Sequence, residues 1–162
     1  MARDLEKIQT ERLILRGINE TDAMEIVEWR SDPEVYRYFK SPHKITIKEH
    51  FSWYNDRYLQ NDKRFDWMCI EKGTGKKIGI FGLAFGDNNA EINYLLAPNA
   101  QHKGYAIEAI RCLLDYAKQK NALHVIAEIH KDNNPSIRLI RKLGFILEKK
   151  EGAFVIYGNS GG

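Results

Sequence analysis

A chain of 162 residues, 43% hydrophobic and 29% charged, has apolar mass for one globular core and is read as a single domain over residues 1–162. Its 25 basic and 22 acidic residues leave a net charge of +3, too mild to mark a nucleic-acid binder but suited to an anionic small molecule where basic side chains gather. No apolar run nears the roughly 18 residues of a membrane span and no signal peptide is seen, so nucleic acid and membrane are set aside as partners and a cytoplasmic location is expected. Cys69 and Cys112 sit in apolar segments and are read as buried thiols rather than a disulfide. No His/Cys cluster has zinc-ligand spacing, so no metal site is expected.

In chain order, residues 12–16 read as a first strand. Thr21 offers an N-cap to a helix from Asp22 to about Arg30, with Asp22 and Glu25 in its acidic first turn. Asp32-Pro33 and Ser41-Pro42 break the chain. Thr46-x-x-Glu49 is a capping box, and Ile47, Phe51, Tyr54 and Tyr58 form an apolar stripe on the helix it starts. Strands follow at 67–70 and 78–81 about a Gly73-Thr74-Gly75 turn, then at 90–96 up to Ala97-Pro98. A long helix over 104–120 carries Ile107, Ile110, Leu114 and Ala117 on one face, and a short strand follows at 125–129. Asn134 caps the next helix, Pro135 takes its first position, and Gly144 closes it as the residue past its end. Residues 145–147 and 154–157 pair as a last hairpin. The order β-αα-βββ-α-β-α-ββ predicts an α/β (α+β) fold, a mixed sheet of about seven strands flanked by about four helices.

The segment 98–106 between a strand end and a helix start is the most informative. A helix N-terminus presents unpaired N–H groups and the positive end of a dipole, which favours phosphate. Gly104 lets backbone approach a ligand, Ala106 is nearly as small, and His102 and Lys103 add positive charge. The same residues also suit a plain tight loop.

Gln101-x-x-Gly104-x-Ala106 resembles the Q/R-x-x-G-x-G/A loop of the GNAT (Gcn5-related) N-acetyltransferases, in the same place between the fourth strand and the following helix. Asn133-Asn134-Pro135-Ser136 with Lys142-Leu143-Gly144-Phe145 is similar to that family's N-x-x-S/A…K-x-G-F block, at matching spacing. The resemblance implies the GNAT fold, acetyl-CoA as cosubstrate held by Gln101, His102, Lys103, Gly104, Tyr105, Ala106 and Asn133, and direct attack of an amine on the thioester. It also implies a backbone N–H among Leu95, Leu96 and Ala97 for the thioester oxygen.

For the base, Glu128 matches the strand glutamate of the ribosomal-protein alanine acetyltransferases, and a structural carboxylate is the alternative. Glu91 competes, since strand alternation puts it on one face with Asn93 and Leu95, and a water relay is a third route. The tyrosine many relatives use to protonate the leaving thiolate is replaced by Ile140. Ser136 takes the position of a serine found in the ribosomal-protein subgroup, against a plain reading in which its hydroxyl turns to a backbone amide and water is the acid.

The acceptor side draws on the first two helices. The stretch from Glu28 to Val35 and Ile45-Thr46-x-x-Glu49-His50-x-x-Trp53 resemble the pseudaminic-acid-pathway aminosugar N-acetyltransferases, whereas the Thr-Glu-Arg-Leu start points to acetyltransferases of ribosomal-protein N-termini. Trp29, Arg30, Trp53 and Trp67 are the expected acceptor contacts, for a small amine or nucleotide-linked amino sugar, with a peptide N-terminus as the alternative. A non-catalytic coenzyme-A-binding module and a homodimer are also left open.

Overall fold

A computed structural model describes residues 5–101 and 103–160. Its elements are β1 (Ile8–Gln9), β2 (Leu13–Gly17), α1 (Ala23–Arg30), α2 (Pro33–Tyr36), α3 (Ile47–Trp53), β3 (Arg64–Glu71), β4 (Lys77–Phe85), β5 (Asn89–Leu96), α4 (Tyr105–Gln119), β6 (His124–His130), α5 (Asn134–Lys142), β7 (Ile146–Glu151) and β8 (Phe154–Asn159). The strands form one sheet in the order β1-β2-β3-β4-β5-β6-β8-β7, antiparallel except where β5 meets β6. The mixed α/β architecture expected from the sequence is therefore present, with one strand and one helix more than counted.

Both additions have local causes. The two residues of β1 pair Ile8 with Leu15, too short a run for alternation to reveal. Asp32-Pro33, read as a break, starts a one-turn helix: the Asp32 carboxylate accepts the Glu34 N–H at 2.9 Å, and Pro33 fills a first-turn position that needs no N–H.

Other caps also shift. Asn19, not Thr21, caps the 3₁₀ turn over residues 20–22 that leads into α1, with Asp22 returning a bond to the Asn19 N–H at 2.9 Å. The Thr46/Glu49 capping box forms as expected. The stripe it opens does not hold, because the helix widens into a π turn over residues 54–58 that rotates the buried face onto His50, Tyr54 and Tyr58 and leaves Ile47 exposed. Asn133 rather than Asn134 caps α5, accepting the Ser136 N–H, so Pro135 sits one position later than expected. Gly144 has φ +89° as the α5 terminator requires.

Cross-strand neighbours Trp67, Phe81 and Tyr94 share one face of the sheet. There α4 brings Tyr116 edge-on to Trp67 at 5.1 Å, and α5 brings Ser136 to Tyr94. Along α4 the buried face runs through Ala106, Ala109, Ile110, Leu113 and Ala117, so the expected Ile107 and Leu114 flank it rather than lead it. On the opposite face Tyr58 Oη accepts the Asp66 N–H at 2.9 Å, which anchors the α3 layer.

The β5–β6 junction positions everything that follows. Parallel pairing holds only for Asn89–His124, Ala90–Val125 and Glu91–Ile126. Beyond it β5 stays with β4 as far as Leu96, and β6 stays with β8 as far as His130. The two strands diverge, and a V opens through the sheet.

Candidate active site

A cavity of about 1000 Å³ fills the V. Its walls are residues 92–96 of β5, 127–130 of β6, the first turn of α4, the start of α5, and α2 with the residues that follow it up to Lys40. Gln101, Lys103, Gly104, Tyr105 and Ala106 all line it, as do Leu95, Leu96, Glu128, Asn133 and Ser136. His102 lies outside the described residues.

Gly104 precedes α4 with φ +76°, a left-handed turn that aims the first amides of the helix at the cavity. A charged lattice behind the loop holds it. Arg12 Nη1 donates to the Lys103 carbonyl at 3.0 Å and its Nε to Glu108 at 2.7 Å, while its guanidinium lies 4.6 Å from the Tyr105 ring centre. Glu108 also accepts the Arg12 N–H at 2.8 Å and the Thr10 hydroxyl at 2.5 Å. Burial pushes the Glu108 carboxyl up, but the Thr10 and Arg12 bonds outweigh it and hold it below the usual range. Sequence reasoning missed Arg12, because its partners lie more than 90 residues away.

Of the three residues expected at the thioester oxygen, Ala97 is excluded. Its N–H donates to the Ile78 carbonyl at 2.9 Å, back toward β4. Strand alternation then sends the Leu95 N–H the same way and those of Tyr94 and Leu96 toward the V.

Glu128 meets Lys40 at 2.5 Å across the cavity, with Lys40 largely exposed and Glu128 largely covered. Glu91 stands on the neighbouring strand, outside the wall of the cavity. Partial desolvation, and then the charge of Glu128, push its carboxyl above the usual range, while Lys40 and Arg64 oppose the shift.

Ser136 departs from the plain expectation. Its hydroxyl pairs with the Tyr94 phenol rather than a backbone amide. Tyr94 stacks on Phe81 at 5.8 Å and lines the cavity, with burial pushing its hydroxyl up to about 12. Ile140, in the position where relatives carry a phenol, is fully buried. Nothing in the local sequence of β5 marks Tyr94, because its partner Ser136 lies 42 residues away.

The expected acceptor aromatics need correction. Trp67 is fully buried and its indole N–H donates to the Glu6 carbonyl at 3.0 Å, and Trp29 is also core, 8% exposed. Their spacing expressed packing rather than recognition. Arg30 and Trp53 line a second cavity of about 230 Å³, which adjoins the first through Phe39, Asn93, Tyr94 and Leu95. Cys69 and Cys112 are free thiols, each pushed up to about 12 by burial, so neither is an activated nucleophile.

A splayed parallel strand pair, with a glycine-led helix N-terminus at its mouth, defines the GNAT class of acetyltransferases. The sequence matches the acetyltransferase (GNAT) domain model over residues 12–146, and the chain belongs to that family of N-acetyltransferases. It is 33% identical over 166 aligned residues to the uncharacterized N-acetyltransferase p20 of Bacillus licheniformis, covering 98% of this chain and 90% of that protein. A GNAT-family acetyltransferase from Bacillus anthracis superposes with a TM-score of 0.82 at 25% identity, covering 96% of this chain and 98% of the other. The spermidine N-acetyltransferase of Vibrio cholerae, solved with CoA and spermine, shares the fold at TM-score 0.80 and 20% identity, covering 92% and 94%.

Proposed function

We propose that this N-acetyltransferase moves acetyl from acetyl-CoA to the primary amine of a small molecule, nucleotide-linked amino sugars included. The observation that supports it is the single cavity in which the Gly104 helix start, the Leu96 edge of β5, Glu128 and Tyr94 all meet.

The residues present fit the nucleotide donor. Gly104 has no side chain where α4 begins, and among the described residues only Arg12 Nη2, at 3.4 Å, neighbours the place a Cβ would take. The amides of residues 104–106, with Gln101 and Lys103, hold the pyrophosphate, and Asn133 lies along the pantetheine path. Bound there, acetyl-CoA supplies the thioester that the amine attacks. The Leu96 N–H donates to the thioester oxygen as negative charge gathers on it.

Glu128 accepts the ammonium proton. Lys40 pairs with that carboxylate in the resting protein, and the incoming ammonium replaces it. Tyr94, fixed by Ser136, donates a hydrogen bond to the departing sulfur. With a hydroxyl near 12 against about 8.5 for a thiol, it steadies the thiolate while water delivers the proton.

The test is thiol release from acetyl-CoA against a panel of small amines, nucleotide-linked amino sugars and peptides, with products read by mass spectrometry. Amine-dependent release on the small molecules supports the reading. Release on peptide N-termini alone transfers the assignment to protein substrates, and tight acetyl-CoA binding with no release on any amine leaves a binding module.

A further inference from the structure

The second cavity is lined by an arginine whose Nε finds no hydrogen bond among the described residues. Arg30 is the last residue of α1, and its Nε is sealed from solvent without a hydrogen-bond partner among the described residues. Its guanidinium lies over the Phe39 ring, 5.2 Å from the centre, which supplies packing but no acceptor. Asp66, the carboxylate on that wall, pairs with Arg64 at 3.3 Å. Two guanidinium groups therefore share one carboxylate.

Burial, and then the charge of Arg64, push Arg30 below the ordinary guanidinium range, with Asp66 opposing. Buried His50, behind the same wall, is pushed down by burial and by the charge of Arg30, so it adds no further positive charge near neutral pH. An arginine stays protonated even so, and with Asp66 already paired to Arg64 the half-buried Arg30 charge is left short of counter-charge, which is unfavourable. A planar fork of N–H donors is complementary to a carboxylate or a phosphate, which it binds through two parallel hydrogen bonds.

We infer that the Arg30 cavity receives an oxyanion carried by the acceptor, so that the substrate is a compound with a primary amine at one end and a carboxylate or phosphate at the other. This rests on the acetyl-transfer reading above. The two ends fit the two cavities: the amine lies against Glu128 in the larger, and the chain passes Phe39, Asn93 and Tyr94 into the smaller. A polyamine would instead drive a second cation toward Arg30.

The experiment uses the whole chain in two measurements. In the first, ω-amino carboxylates of increasing length are compared in kcat/KM with their amides, with ω-aminoalkyl phosphonates and with spermidine. The charged-end acceptors should lead the amides of equal length by about 30-fold or more, as for an ion pair formed in a desolvated site. The better of the carboxylate and phosphonate arms identifies the oxyanion. Arg30→Gln should erase that lead with acetyl-CoA affinity within about threefold, and Arg30→Lys should keep part of it. An amide equal to its acid, or spermidine ahead of both, overturns the inference.

In the second measurement, methylphosphonate and inorganic phosphate are titrated by calorimetry with saturating acetyl-CoA present, which occupies the phosphate loop. They should bind the parent chain and bind Arg30→Gln at least tenfold more weakly; equal binding, or none to the parent, overturns the inference without reference to turnover. Should Arg30→Gln fail to fold, the same comparison is made with Arg30→Lys. Anion binding at Arg30 with no thiol release from any amine would overturn the acetyl-transfer reading and leave the anion site standing.

Discussion

Replacing Gly104 by alanine separates the loop's role in donor binding from its role in folding. At φ +76° an L-residue is disfavoured by about 1–2 kcal/mol, and among the described residues the new Cβ would meet only Arg12 Nη2, at 3.4 Å. Gly152, in the β7–β8 turn at φ +59°, is a matched control with nothing within 4 Å of its would-be Cβ. Both variants should lose about 1–2 kcal/mol of stability, a fall in Tm of roughly 2–8 °C for a chain of this size. Only Gly104→Ala rotates amides away from the cavity. A hydrogen bond to a charged oxygen contributes about 1.5–3 kcal/mol, so losing one of the amide–phosphate bonds weakens acetyl-CoA binding by roughly 10–100-fold. The assay is calorimetric titration of acetyl-CoA into both variants well below either Tm, with thermal melts alongside. Equal acetyl-CoA affinity in the two variants would falsify the assignment of this loop to the pyrophosphate.

Further outcomes follow from the remaining parts of the site. Glu128→Gln should lower kcat by roughly 10²–10⁴-fold with acetyl-CoA affinity unchanged, and a silent Glu128→Gln beside a crippled Glu91→Gln moves the base to β5. Ser136→Ala should reduce kcat less than about tenfold and Tyr94→Phe by roughly tenfold, whereas losses of several hundredfold would make the pair the proton source instead of water. Away from the cavity, fully buried Asp22 is bound by Arg16 and by Lys77, each at 2.8 Å. Burial pushes that carboxyl up, but those bonds outweigh it and hold it low, so its contribution is present above the unfolded value near 3.9 and is lost as pH falls through the lowered folded value. Asp22→Asn, followed by denaturant unfolding at neutral pH, should lose about 3–5 kcal/mol and flatten the acid side of the stability curve.

What the sequence made legible was local. The Thr46/Glu49 box, the Gly104 turn and the Gly144 terminator are written within four residues of the structure they specify. What stayed hidden was carried by partners distant in sequence. Arg12 braces a loop 91 residues away, and Tyr94 finds Ser136 across 42 residues because two elements cross. The tryptophans misled for a related reason. An indole serves as well in a core as against a ligand, and only the meeting of Trp67 with Tyr116 and the Glu6 carbonyl separates the two uses. Arg30 shows the reverse case, since the position was legible but the orphaned Nε that gives it meaning exists only in the folded chain.

The V in the sheet ties these features together. Paired β-strands satisfy their own amides, so a closed sheet offers a ligand side chains alone. By parting after Glu91 and Ile126, β5 and β6 direct the Tyr94 and Leu96 N–H groups into the cavity while β4 and β8 keep the outer edges bonded. Alternation along β5 then splits the chemistry by face. Tyr94 joins Ser136 on the α5 side, while Glu91 lies with Asn93 and Leu95 on the other side. Ile126 pairs with Glu91 and so sets the phase of β6, which sends Glu128 to that second face, toward Lys40 and the Arg30 cavity. The register of three residue pairs thus decides which face of the sheet carries Glu128 and which carries Tyr94. An insertion of one residue in β6 before Glu128 would invert that side chain and abolish turnover, while leaving Gly104 and acetyl-CoA binding in place.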